Sequence, residues 1–439
     1  MKRRDFLSGA ISTGAIALAG SAAMTGTMTG TAMAQTSQAR ARIVIAGAGA
    51  AGLSLAARLR RQMPNATITL IDAKKEHHFQ PGFTLVAAGL WRPENVTERN
   101  ADYVPRGVEW IEEAVAEFDP QAKAVVTAGG RRVAYDFLFV ATGLMLDYRA
   151  IAGMDPSLIG RNGIASIYAG PAQAAASAAA IDRFIETGGV GLFGRPAGEM
   201  KCAGAPLKVT FITDDKARRK GRRDAVRLIY NAHNPAVFAV PPVHDKVKAL
   251  FAERDVAVNY SHVLKAMDPG AKRATYATPT GDVTLDYDFI HVVPPMRAPD
   301  AVRNSPLPWQ TGPLAADGWV EAERATLRHP RYPEVFAVGD IAGVPRGKTA
   351  ASVKWQVPVV VDNLVAETAG RTPRATFNGY TSCPMVTAIG KAMLIEFDYD
   401  GTLIPSFPFI APLEELWVSW LIEEKGLKGA YRAMLRGRA

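Results

Sequence analysis

Only two cysteines occur in the 439 residues, Cys202 in "GEMKCAGAPLKV" and Cys383 in "YTSCPMV". A thiol can fill a core as a small hydrophobe or carry redox chemistry. Cys202 sits with Lys201, Gly204 and Pro206 in a polar turn, not in an apolar strand. A thiol beside a lysine at a helix N-terminus loses its proton more readily and is the better nucleophile. The sequence places that helix start around Cys202. Cys383 reads as part of a turn before an apolar segment, and its own surroundings leave core filler and function both open. Two cysteines are too few for a framework of structural disulfides.

The elements that would position these thiols begin with a nucleotide cradle. Ile43–Ala46 is a continuous apolar strand, and Gly47, Gly49 and Gly52 follow as G-x-G-x-x-G. "LSLAARLRRQ" has helical spacing, and "TITLID" is a second strand ending at Asp72. Strand, glycine turn, helix, strand and acid together make the dinucleotide-binding pattern. Gly47 allows the tight turn, Gly49 admits a pyrophosphate, and Gly52 lets helix and strand pack. The helix N-terminus faces the phosphates, and Asp72 is placed for the ribose hydroxyls. Two further strands end in Ala-Thr-Gly ("YDFLFVATG", 135–143) and in Gly339-Asp340 ("HPRYPEVFAVGD", 329–340). Both resemble hallmarks of the two-dinucleotide-domain flavoproteins, in which the acid of Gly-Asp holds the ribityl chain of FAD. Asp340 also stands where it could cap a helix.

The middle of the chain has the strand of a second such unit, Val190–Phe193, but no second glycine pattern. Arg195-Pro196 and the Cys202 turn follow it instead. This argues against NAD(P)H as the electron donor. "LKVTFITDD" and "VHDKVKALFAERDVAVNY" continue a strand and helix alternation. The fold expected is therefore α/β, with two Rossmann-like domains, the FAD domain being discontinuous, and C-terminal amphipathic helices at a membrane surface. The expected divisions are 1–34 (export signal), 40–150 and 296–390 (FAD domain), 151–295 (second domain) and 391–439 (quinone and membrane region).

The segments "HFQPGFTLVAAG", "KCAGAPLK", "VVPPMRAPD", "GKTAAS", "NGYTSCPMVT" and "AMLIEFDYD" together resemble the sulfide:quinone oxidoreductases, in the branch that includes the mitochondrial enzyme. The likeness runs from about Ile43 to Arg436. It implies non-covalent FAD, lined by Gly47, Gly49, Ala50, Ala51, Gly52, Asp72, Gln80, Val115, Asp340, Lys348 and Thr349. It implies that Cys202 and Cys383 act as one redox pair, turning sulfide into sulfane sulfur and passing electrons through FAD to a quinone. Lys348 and the helix after it would then stabilise negative charge on the reduced flavin. Flavocytochrome c sulfide dehydrogenases are a related reading, but they attach FAD through a cysteine near "HHFQPGF", where this chain has none. A non-catalytic flavin or thiol sensor is the reading from another class. Lys354 and Trp355 depart from the small residues usual in the family.

"MKRRDFLSGAISTGAIALAG" carries Arg3 and Arg4 ahead of a small-residue apolar stretch, a twin-arginine export pattern, with a cleavage site after Ala34 in "TAMAQ". The expected location is the periplasmic face of the inner membrane. The net charge of +9 is diffuse, without a basic stripe interleaved with aromatics, which argues against nucleic acid. "KARRKGRR" (216–223) reads as a solvated loop. Beyond the signal, no apolar run is long enough to span a bilayer. Leu413, Leu416, Trp417, Trp420 and Leu421 instead fall on one helical face. Leu427, Tyr431, Met434 and Leu435 make a second, amid Lys and Arg, which suits an interfacial helix pair. Phe397, Tyr399, Phe407 and Phe409 are placed either to line a quinone channel or to pack the domain. The sequence leaves a homodimer and the sulfur acceptor open.

Overall fold

The computed structural model describes residues 35–438. The twin-arginine segment and the Ala34 cleavage site lie outside them. Two five-stranded parallel sheets dominate, built on one plan. In the first, Arg42–Ala46 lies between Thr67–Ile71 and Phe137–Val140, with Val108–Ile111 beyond Thr67–Ile71. Its strands are nearly all apolar because helices and loops cover both faces, as parallel sheets require. A three-stranded antiparallel meander (Val115–Asp119, Ala124–Thr127, Arg132–Ala134) leads back to Phe137–Val140. The fifth strand, Val335–Ala337, comes from far along the chain and pairs with Phe137–Val140. This sheet is therefore assembled from two separated stretches. The late helix Ala350–Thr368 seals the join by packing on Ala50–Gln62, where Arg58 meets Asp362 at 3.1 Å.

The second sheet repeats the plan. Gly189–Gly194 lies between Val226–Asn231 and Phe289–His291, with Val256–Asn259 and Ile164–Ala165 at the edges. Another three-stranded meander, Val263–Asp268 through Gly281–Asp286, precedes the return strand. One continuous apolar core runs through both units.

Three local expectations are corrected. "LKVTFITDD" belongs to the helix Ala205–Arg219, although it is rich in β-branched residues. Tertiary burial decides there: Leu207 and Val209 through Asp214 are all buried. That helix opens three residues beyond Cys202, and "KARRKGRR" is its last turn and the bend after it, tied to Asp214 and Asp215 by Arg218, Arg219 and Arg223. Cys383 lies in no turn. It is inside the strand Thr381–Ala388, which pairs antiparallel with Lys391–Phe397 and packs on Ala205–Arg219.

The C-terminal region also differs in detail. Helix begins at Trp417, because Leu416 is extended and exchanges two backbone hydrogen bonds with Ala392. α-Helix Trp417–Leu421 passes through a π turn, Ile422–Gly426, into α-helix Leu427–Leu435. The expected apolar face splits: Trp417 is 65% exposed and Trp420 is 6% exposed. The second apolar face turns inward, with Tyr431, Met434 and Leu435 buried, and Tyr431 Oη lies 2.7 Å from His77 Nε2. Phe397 and Tyr399 are buried, whereas Phe409 is 80% exposed. Among the described residues, no helix is long and apolar enough to cross a membrane.

Candidate active site

The carboxyl ends of the first sheet's strands converge where open α/β sheets place ligands. Two glycines there are sterically obligatory. Gly47 has φ +114°, and a Cβ on it would lie 2.3 Å from the Ala141 carbonyl oxygen. A Cβ on Gly52 would lie 1.7 Å from the Gly47 oxygen. Gly49 is different: a Cβ there meets nothing within 4 Å. It borders open space at the start of the helix carrying Ala50 and Ala51. That helix has no side-chain cap and no acid in its first turn, so its free N–H groups face a place an anion can fill. Asp72 accepts from Ala48 N at 2.7 Å and from Lys74 N at 2.8 Å. It thus braces the glycine loop while its remaining lone pairs stay open to hydroxyls. Val115, half-buried, follows the neighbouring strand, and exposed Gln80 opens a short turn.

The other wall comes from 339–349. Gly339 has φ +80° and donates its N–H to Gln356 Oε1 at 2.8 Å. The Asp340 carboxylate has no hydrogen bond among the described residues. Burial raises its pKa, against the pull of Lys201 and Lys348. A half-buried carboxylate with no side-chain partner, open toward the site, fits a ribityl hydroxyl. Lys348, 4% exposed, donates to the Asp340 and Ala342 carbonyls at 2.7 and 3.1 Å and sits 3.7 Å from the Trp319 ring centre. Burial lowers its pKa to about 8, although Glu199, Asp340 and Asp317 oppose the change. With its donors so directed, Lys348 offers the site a positive field and a fixed Asp340 turn more than a free hydrogen bond. Thr349 caps helix Ala350–Thr368 through Ser352 N, and its hydroxyl meets Thr381 Oγ1 at 2.9 Å. These observations together fit FAD.

The thiols join this wall directly. Cys202 N donates to the Lys348 carbonyl at 3.1 Å, and Thr381 stands two residues from Cys383. Cys202 adopts φ +49°, uncommon outside glycine, and Tyr168 Oη donates to its carbonyl at 3.1 Å. Both cysteines are free thiols, Cys202 half-buried and Cys383 buried, and they lie close enough that each shifts the other's pKa. The neighbouring Cys383 thiol is the main reason the Cys202 pKa falls to about 7; burial opposes the fall, and Lys208 and Lys201 assist it. The same neighbour, with burial, pushes Cys383 well up. Ionisation of the pair is thus drawn toward Cys202.

Sequence reasoning missed several supporting residues. A Cβ on Gly204 would lie 2.2 Å from Cys383 Sγ, so this glycine keeps the two sulfurs adjacent. Its place two residues after Cys202 was a usable signal; Tyr168 and Glu423 had none, because only the fold brings them near. Trp355 is 45% exposed and packs on Tyr380, which hydrogen-bonds to Glu396 and Ser406, next to the Phe407–Phe409 pair. Aromatic surface therefore extends from the Thr349–Thr381 contact outward.

Comparison with known proteins agrees with this geometry. Residues 41–178 match the pyridine nucleotide-disulphide oxidoreductase family. The chain is 33% identical to the mitochondrial sulfide:quinone oxidoreductase of Dictyostelium discoideum over 387 residues, covering 88% of this chain and 84% of that one. It is 32% identical to the mouse mitochondrial enzyme of the same name, covering 88% and 84%. The solved sulfide:quinone oxidoreductase of Aquifex aeolicus superposes with a TM-score of 0.74 at 21% identity, over 91% of this chain and 92% of that one. The chain belongs to the sulfide:quinone oxidoreductase family of FAD flavoproteins.

Proposed function

We propose that the protein oxidises sulfide to sulfane sulfur with a Cys202–Cys383 redox pair, delivering the electrons to a membrane quinone. The observation that carries this reading is the closeness of the two thiols, Cys383 Sγ lying against Gly204 two residues from Cys202, with Cys202 N anchored to the Lys348 carbonyl of the FAD wall. In the oxidised enzyme the two sulfurs are bonded. Hydrosulfide attacks Cys383 Sγ, the S–S bond breaks, and Cys202 leaves as thiolate. Its lowered pKa makes it the better leaving group, and Lys201 and Lys208 hold the charge. A nucleophilic acceptor then takes the outer sulfur from Cys383 and leaves a thiolate there. Re-forming the Cys202–Cys383 bond releases two electrons. FAD, when bound, accepts this pair and passes it to the quinone. Gly47, Gly49, Ala50, Ala51, Gly52 and Asp72 would hold its pyrophosphate and ribose, with Gln80 and Val115 at the edge. Asp340, Lys348 and Thr349 would hold its ribityl and ring portions.

Exposed Trp417, Val418 and Phe409 would seat the C-terminal region at the lipid surface, with Trp355, Tyr380 and Phe407 along the quinone's approach. Arg3 and Arg4 would direct the folded enzyme to the periplasmic side. The test replaces each cysteine with serine in the flavin-loaded protein. Both variants should keep their flavin and lose bleaching by sulfide plus a thiol acceptor by about 10³-fold or more. Bleaching at the wild-type rate in either would overturn the pair.

A further inference from the structure

Between the exposed Trp417 and the buried Tyr431 of the C-terminal helix lies one buried charge. Glu423, within the π turn, pairs with Lys208 at 3.2 Å, with side-chain exposures of 2% and 3%. Lys208 stands on helix Ala205–Arg219, whose first turn follows Cys202. The second carboxylate oxygen of Glu423, Oε2, is buried without a hydrogen-bond partner. Burying two charges is costly, and an apolar pair of similar volume commonly serves stability equally well. A buried pair with one oxygen unsatisfied is therefore poorly explained as a staple. π turns are rare in helices and frequent at functional sites.

The neighbours supply another explanation. The groups acting on the Cys202 thiol are Cys383, Lys208, Glu423 and Lys201; those acting on Cys383 are Cys202, Lys208 and Glu423. Tyr168 approaches the Cys202 carbonyl. Lys208 in turn feels Glu423 and both thiols. Burial alone would discharge Lys208, yet Glu423, with the thiols, holds its pKa above the ordinary lysine value. Lys208 N donates to the Gly204 carbonyl at 3.1 Å, one helical turn from the glycine that lies against Cys383 Sγ. The ammonium is thereby kept charged on the side of the helix that faces the sulfurs, where it favours thiolate, while the Glu423 carboxylate disfavours it.

We infer that Glu423 is a positioning residue of the thiol centre: from the C-terminal helix it fixes the Lys208 ammonium beside Cys202 and Cys383 and so sets their charge environment. The inference rests on the redox-pair reading above, but its test needs neither sulfide nor quinone, so the two can fail separately. The reduced, flavin-loaded protein is alkylated with iodoacetamide across a pH series, and modification of the Cys202 peptide is read by mass spectrometry. The wild-type midpoint should lie at about 7. In Lys208→Met it should rise by on the order of one pH unit; in Glu423→Gln, which leaves the ammonium unfixed and discharged by its burial, it should rise as well, and Glu423→Asp should restore it. General loosening of the site would not be reversed by Glu423→Asp. Unchanged midpoints, a fall in Glu423→Gln, or no recovery in Glu423→Asp overturn the inference. Should a lone buried charge prevent folding, the double variant Lys208→Met/Glu423→Leu removes both. Its midpoint should lie above the wild-type value, because Lys208 acts on Cys202 more strongly than Glu423 does. An unchanged midpoint there overturns it equally.

Discussion

At the scale of single residues, the site depends on a few atoms that must be absent. Gly52 and Gly49 belong to one motif but are required for different reasons. Gly52→Ala drives a Cβ into the Gly47 carbonyl, 1.7 Å away, so helix and strand must part. Overpacking of this kind costs about 1–3 kcal/mol. We expect a lowered melting temperature together with flavin content reduced by roughly tenfold or more. Gly49→Ala meets nothing within 4 Å, so the melting temperature of the flavin-free protein should hold while flavin is lost. Calorimetry on the flavin-free variants and absorbance of the loaded ones distinguish the two. If Gly49→Ala binds flavin as the wild type does, the open space at Gly49 is not the pyrophosphate's place. These glycines were legible in the sequence because a steric requirement leaves one residue type. The Cys202–Cys383 contact was not: 181 positions separate the two, and local composition says nothing of which strand lies beside which helix.

At the scale of elements, helical periodicity located the C-terminal helices but not their orientation. Spacing placed Trp417 and Trp420 on one face, whereas the Leu416–Ala392 pairing delays the helix start and the π turn alters its register. One tryptophan faces solvent and the other packs among Leu85, Ile212 and Val386. The two should therefore behave differently. Trp417→Ala should leave the melting temperature unchanged and weaken binding to anionic vesicles, as measured by flotation. Trp420→Ala should destabilise the fold by about 3–5 kcal/mol in denaturant titration. Equal vesicle binding by wild type and Trp417→Ala would remove Trp417 from the membrane contact. A similar override explains "LKVTFITDD", where burial on all sides of a central helix outweighs β-branched composition.

At the scale of the whole molecule, the same arrangement is used twice: a central strand, its partners, a three-stranded meander and a return strand. The first copy keeps the glycine cradle. The second replaces it with the 195–204 loop and places a thiol there, against the Lys348 carbonyl of the first. The alternation of strands and helices made this doubling readable in sequence. What could not be read was the closure of the first sheet by Val335–Ala337 and the ribbon Thr381–Ala388, which together carry Asp340 and Cys383 to a site begun some 300 residues earlier. On the proposed function, sulfide chemistry at the two thiols and electron uptake at the glycine cradle meet across that junction. The measurement that tests this most directly is an anaerobic titration of the oxidised, flavin-loaded protein with sulfide in the absence of quinone. Flavin absorbance and the mass of the Cys383 peptide are followed in the same samples. The account predicts that the Cys383 peptide gains one sulfur atom and that the flavin then bleaches as an added thiol acceptor removes it. Recovery should follow on adding a short-chain quinone. Full bleaching by sulfide before any acceptor is added while Cys383 stays unmodified, or sulfur appearing on neither cysteine at any stage, would contradict it.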